Sequence, residues 1–202
     1  MSDKPLIGVL ALQGAFREHR LMVEGLGFPT REVRLPTHLD GLSGMIMPGG
    51  ESTAIGKLLV EWDLLEPIGH LARAGMPLWG TCAGAILMAR CITERGRVMD
   101  QPRMNLLDIT VERNAFGRQV DSFETDLLIT LPGCEGPFPG VFIRAPVFSE
   151  VGDGVCVRCR HEGRAVFVTR DHLWASAFHP ELSDDSRLHL AFCRMASECA
   201  EK

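Results

Sequence analysis

The apolar positions of this chain change rhythm near its midpoint. Residues 6–12, LIGVLAL, form a continuous apolar run directly after Pro5, the pattern of a parallel strand buried on both faces. Gln13-Gly14 ends the run. Residues 15–25 then read as an amphipathic helix, with Phe16, Leu21 and Met22 inward, Arg17, Glu18 and Arg20 outward, and Gly25 or Gly27 as its stop. Residues 30–35 alternate as a second strand. Met45-Ile46-Met47 make a third, stopped by Pro48-Gly49-Gly50. Ser52 or Thr53 is placed to cap the helix that carries Lys57, Leu58 and Leu59. A further helix covers 64–74. Residues 76–79 read as a short buried strand and 85–90 as an apolar helix. This alternation predicts a doubly wound α/β sheet.

After Arg90 the pattern turns strand-rich. Residues 96–104 read as a surface loop. Residues 106–112, 125–131 and 141–143 are strand-like, with Pro132-Gly133 and 137–140 as turns. Residues 155–160 and 164–169 flank His161-Glu162-Gly163, a hairpin signal. Residues 173–178 make the last strand. Ser183 or Asp184 caps a final helix from 185 to about 198, with Leu188, Phe192 and Met195 on its inner face. No repeat, linker or low-complexity tract interrupts the chain, so residues 1–202 are expected to form one domain.

Composition narrows the function classes. The 202 residues suffice for a sizeable core, and the net charge of −5 disfavours a general nucleic-acid binder. No stretch approaches the ~18 apolar residues of a membrane span. The first residues lack a basic n-region and a small-residue cleavage site, so no signal peptide is expected. The 7 cysteines are odd in number and scattered, which suits free thiols in a reducing cytoplasm.

The candidate chemistry starts at Gly80-Thr81-Cys82-Ala83-Gly84. A G-x-C-x-G between strand and helix has the layout of a nucleophile elbow, which lifts its central side chain above the sheet edge. A helix N-terminus favours an anion, so Cys82 sits where a thiolate is supported. Such a cysteine needs a base and the base an orienter. His179 ends the last strand, and in an extended His179-Pro180-Glu181 the two outer side chains would lie side by side. This predicts a Cys82–His179–Glu181 triad. Pro48-Gly49-Gly50-Glu51-Ser52-Thr53 lacks the Lys of a phosphate loop. Its open backbone suits an oxyanion instead, with the N–H groups of Gly50 and Ala83 as donors. Cys156-Val157-Arg158-Cys159 lies in a strand, where residues three apart face opposite sides, so no metal site is expected there. The remaining cysteines lack a base beside them, and the other six histidines are expected at the surface.

The motifs LALQGAF, MPGGEST, GTCAGAILMA, TVERNAFGRQVDSFE, VFIRAP and AFHPELSDD together resemble the glutaminase subunits of pyridoxal 5′-phosphate synthases, within the class I glutamine amidotransferases. The resemblance spans nearly the whole chain. It implies a three-layer α/β/α, flavodoxin-like domain with a mostly parallel central sheet. It implies that Cys82, His179 and Glu181 hydrolyse L-glutamine to L-glutamate and ammonia through a glutamyl thioester, without cofactor or metal. It also implies glutamine contacts from Gly50, Glu51, Ser52, Arg113, Ile143 and Arg144, with the α-carboxylate going to either arginine or to neither. The ammonia would pass to a separate synthase subunit, with no nucleic acid or membrane as partner. Two adjacent glycines at the oxyanion hole allow a peptide flip, so weak activity without the synthase is expected. The same elbow also fits a cysteine peptidase-like hydrolase, and a non-catalytic partner of the synthase is the third reading.

Overall fold

Strand and helix alternate through the first half as the apolar rhythm predicts. The computed structural model describes residues 4–115 and 122–200. In chain order these give β1 (Ile7–Leu10), α1 (Phe16–Gly25), β2 (Thr30–Val33), β3 (Gly44–Met47), α2 (Ser52–Glu61), α3 (Leu65–Arg73), β4 (Leu78–Thr81) and α4 (Ala83–Met88). The second half adds β5 (Ala89–Glu94), β6 (Arg97–Val98), β7 (Leu107–Glu112), β8 (Ser122–Leu128), β9 (Pro137–Ile143) and β10 (Val147–Val151). It ends with β11 (Cys156–His161), β12 (Arg164–Arg170), β13 (Leu173–Ser176) and α5 (Arg187–Ala200).

Five strands in the order β2-β1-β3-β4-β13 run parallel and form the centre of the sheet. The sheet continues through β12, β10, β7, β5 and β6, with β11 on β12. Here β5 and β7 pair parallel, and the other pairs are antiparallel. The change follows from the connections, because antiparallel neighbours can be joined by a two-residue turn and parallel ones cannot. Glu162 and Gly163, at φ 48° and 77°, make such a turn between β11 and β12.

Side chains of β4 show how the layers are laid down. Trp79 points to one face, where its ring lies 5.6 Å from that of Phe192 on α5. Gly80 points to the other, against the backbone of Gly84 and Ala85 in α4. With α1 packed on α5, and α2 on both α3 and α4, the sheet is covered on both faces. Burial of Phe192, which has no exposed surface, contributes about 2–3 kcal/mol. No helix among the described residues is long and apolar enough to cross a membrane.

Several local expectations change. α4 runs Ala83–Met88, and Arg90 belongs to β5 rather than to a helix. Residues 137–140 are part of β9, not a turn. Among the described residues β9 pairs with β8 alone, so an edge position tolerates Pro137 and Pro139, which lack an N–H. β10 carried no clear pattern, and Arg97–Val98 in the expected loop forms a short strand. In α1 the inward residues are His19 and Val23, while Leu21 is 51% exposed. Glu51, not Ser52 or Thr53, caps α2, its carboxylate accepting from the N–H groups of Thr53 and Ala54. Asp185 rather than Ser183 or Asp184 accepts from the Arg187 N–H where α5 begins.

Candidate active site

Three parallel strands bring the candidate residues together. β4 lies between β3 and β13, so the chain leaving each of them emerges at the same sheet edge. Pro48-Gly49-Gly50 follows β3, Cys82 follows β4, and His179 follows β13 by three positions. Cleft formation at the C-terminal edge of a doubly wound sheet is the general rule.

The elbow is strained and close-packed. Cys82 has φ 47° and ψ −103°, a backbone region that a non-glycine residue enters only when its surroundings impose it. Its N–H donates to Ser176 O at 2.8 Å, which extends the β4–β13 register by one residue. A side chain at Gly84 would run into the Met47 carbonyl, and one at Gly80 would lie 2.5 Å from the Gly84 carbonyl carbon. The two glycines let α4 sit directly on β3 and β4.

His179 is anchored by its N–H to Val141 O on β9, at 2.8 Å. Its Nδ1 lies 2.7 Å from Glu181 Oε1. The expected extended spacing is not how the pair forms. Residues Pro180–Leu182 make a 3-10 turn that carries the carboxylate back onto the ring. Pro180 still keeps His179 itself out of the helical region, at φ −106° and ψ 86°. With Nδ1 engaged, Nε2 is the nitrogen left for Cys82, which lies with the His179 ring against Gly49 and lines the same cleft. A side chain on Gly49 would run into the His179 ring and crowd Cys82 Cβ, so the loop after β3 forms the near wall of this pair.

The electrostatics fit an imidazolium. Burial works against a charged His179, but hydrogen bonds to Cys82 and Glu181 and the charges of both raise its pKa to about 10. Burial likewise works against an ionised Glu181. The charge of His19, in contact at 3.2 Å, and the hydrogen bond from His179 prevail and hold the carboxyl far below its ordinary range. Elsewhere burial pushes Cys134 and Cys159 up to about 11 and Cys193 to about 12, the behaviour of inert core thiols. Cys156 is exposed and Cys159 buried; a bulge between Val157 and Cys159 pairs them with Thr169 and Phe167, which share one face of β12, so the expectation that they point to opposite sides is corrected. Cys91 and Cys199 are half-buried free thiols.

In front of Cys82 and His179 lies a cleft of about 250 Å³. Gly50, Glu51, Ser52, Arg113, Ile143 and Arg144, all singled out from the sequence, line it. Ala83 and Glu181 stand behind the lining, both buried. Arg113 Nη1 donates to Gln101 Oε1 at 3.0 Å and Thr53 Oγ1 at 3.3 Å, and Nη2 lies 3.6 Å from Glu51 Oε1. Arg144, at φ 44°, is exposed and has no side-chain partner among the described residues. The Gly49 carbonyl accepts from the Ala15 N–H at 3.1 Å. The Gly50 N–H, on the opposite edge of the same trans peptide, therefore points away from Ala15. Neither it nor the Ala83 N–H has an acceptor among the described residues.

Three cleft residues escaped the sequence reading: Gln13, Ile86 and Asn114. Gln13 Oε1 accepts from the Glu51 N–H at 2.8 Å, and Asn114 donates to Glu94 Oε1 at 2.6 Å. Their motifs were visible but not their contacts. The expectation of six surface histidines is corrected. His70 is exposed, while His38, His161 and His172 are half-buried. His19 and His189 have no exposed surface at all. Residues 116–121, which complete the TVERNAFGRQVDSFE motif, lie outside the described residues.

Residues 9–198 match the SNO glutamine amidotransferase family. The chain is 57% identical to the pyridoxal 5′-phosphate synthase subunit PdxT of Herpetosiphon aurantiacus, over 92% of this chain and 97% of that protein. It is 53% identical to the PdxT subunit of Deinococcus radiodurans, over 96% of this chain and 98% of that protein. A crystal structure described as a glutamine amidotransferase superposes with a TM-score of 0.87 at 49% identity, covering 95% of this chain and 98% of that one.

Proposed function

Because the chain belongs to the SNO glutamine amidotransferase family, we propose that it is the glutaminase subunit of a pyridoxal 5′-phosphate synthase. It hydrolyses L-glutamine to L-glutamate and ammonia and supplies the ammonia to a separate synthase subunit. The observation that carries the chemical part is the buried line from Glu181 through His179 to Cys82, opening onto one cleft.

The Cys82 thiolate attacks the side-chain amide carbon of glutamine, forming a C–S bond and a tetrahedral oxyanion. The N–H groups of Gly50 and Ala83 receive that oxyanion; removing one such donor typically costs about 10²–10³ in turnover. The His179 imidazolium gives its proton to the amide nitrogen, the C–N bond breaks, and ammonia leaves. Water then attacks the glutamyl thioester, with His179 taking its proton, and glutamate departs with the Cys82 thiolate restored. Glu181 keeps the imidazole in one tautomer and supports its charge. These steps draw on side chains, backbone N–H groups and water. Glu51 faces the substrate ammonium, Arg113 and Arg144 its carboxylate, and Ser52 and Ile143 complete the contact. Residues 1–202 act as a single glutaminase domain in the cytoplasm.

The test combines this chain with the synthase subunit, a pentose phosphate and a triose phosphate. The expected result is pyridoxal 5′-phosphate formed from glutamine. Product formed from ammonium salt but not from glutamine would overturn the assignment.

A further inference from the structure

A second histidine stands behind the candidate triad. His19 lies on the inner face of α1 with no exposed surface. Its Nε2 is 3.2 Å from Glu181 Oε2 and 3.1 Å from the hydroxyl of Thr81, the residue before Cys82. Its Nδ1 is 2.9 Å from Nε2 of His189 on α5. We propose that His19 is a positioning residue for glutamine hydrolysis: its imidazole, in buried contact with Glu181 Oε2, keeps Oε1 aimed at His179. This rests on the triad reading given above.

The contacts of His19 place a proton on one of its nitrogens. A carboxylate only accepts, so the His19 nitrogen facing Glu181 must carry a proton. That nitrogen makes its hydrogen bond to Thr81 Oγ1 and at the same time touches Glu181 Oε2, which has no hydrogen-bond partner of its own among the described residues, so the carboxylate is packed against the strand that presents Cys82. On its other side His19 Nδ1 is hydrogen-bonded to His189 Nε2. His189 Nδ1 is buried with no hydrogen-bond partner among the described residues. Burial, with the charge of His19 next, pushes His189 far below its ordinary pKa and so keeps it neutral. The His189 ring is wedged 5.0 Å from that of Trp79. The carboxylate is thus held by a hydrogen bond with His179 in front and backed by a buried polar contact with His19 behind. With the rear contact gone, the terminal torsion of a Glu side chain has broad minima, and Oε1 would no longer be fixed.

His19 does not line the cleft and touches no reacting atom. Its influence passes through Glu181 to the proton on His179. The titratable groups facing His179 are Cys82 from the elbow and Glu181 from the 3-10 turn, with His19 of α1 and His189 of α5 behind the carboxylate. Glu51, Arg113 and Arg144 stand around the cleft in front.

The test compares His19→Gln with His19→Asn in the complex with the synthase subunit. Both keep a polar group in the cavity, but only glutamine places an amide N–H where the imidazole Nε2 was. Ammonia release is followed across pH, and in parallel the alkylation of Cys82 by iodoacetamide; thermal melts check folding. We expect His19→Gln to stay close to the native rate. In His19→Asn, kcat falls by about 10–10²-fold at unchanged KM, as small misplacements do. The alkaline limb, which reports loss of the His179 imidazolium, moves down by about one pH unit in both assays. An Asn variant slowed equally at every pH, or both variants matching the native profile, would overturn the proposal. If the native complex releases no ammonia, the hydrolase reading falls, while the alkylation profile still decides the role of His19.

Discussion

The two walls of the cleft are built differently. On one wall Cys82, His179 and Glu181 are 7%, 6% and 5% exposed, and each is fixed by backbone strain or a short hydrogen bond. On the other, Glu51, Ile143 and Arg144 are exposed, and the Glu51–Arg113 contact at 3.6 Å is half in solvent. Charges on the first wall act in a water-poor setting, where they are strong and already oriented. Charges on the second are screened, and exposed pairs contribute little. The difference teaches that one wall is organised for the reaction and the other for admitting and orienting the substrate. Substitutions on the first should lower kcat, and those on the second should raise KM.

The largest effect is expected for Cys82→Ala, which should lower ammonia release by about 10⁴-fold or more while glutamine still binds, as calorimetry would show. Next comes Glu181→Gln, which keeps the shape but accepts poorly from His179. It should cost about 10³–10⁴ in kcat with KM nearly unchanged. Arg144→Gln tests the opposite wall. It should raise KM by roughly tenfold with kcat held, the loss of about one charge-assisted hydrogen bond. If Arg144→Gln lowered kcat as deeply as Glu181→Gln, the contrast between the walls would be broken.

The smallest effect is on stability. Because the pKa of His179 is raised from 6.5 to about 10, its stabilising contribution is complete below pH 6.5. That contribution is lost as pH climbs toward 10. Glu181, whose pKa is lowered, contributes above its ordinary carboxylate range and loses that contribution in acid. Urea unfolding between pH 7 and pH 10 should therefore show a declining native stability, on the order of a few kcal/mol at most. His179→Gln should flatten that decline.

What the sequence disclosed depended on how local the cause was. The elbow was legible because apolar strand, flanking glycines and helix lie within one short stretch, and each glycine answers a clash that a side chain would create. The parallel half of the sheet was legible from its buried apolar runs. β9 was not, because Pro137 and Pro139 signal a turn until the strand is known to pair on one side only. The inner face of α1 was misassigned because two histidines can replace apolar residues only when their partners are known. The His19–His189 contact spans 170 positions, and the Glu181 carboxylate arrives from the far end of the chain. The spacing of His19 and Val23, one helical turn apart, was the signal available.

The central claim is that the sulfur of Cys82 becomes acylated during turnover. Acid quenching of the working complex with glutamine, followed by peptide mass spectrometry, tests it directly. One glutamyl group on the peptide that carries Cys82, absent in Cys82→Ala, is the predicted result. Undiminished ammonia release by Cys82→Ala, or a glutamyl group found on any other residue, would contradict it.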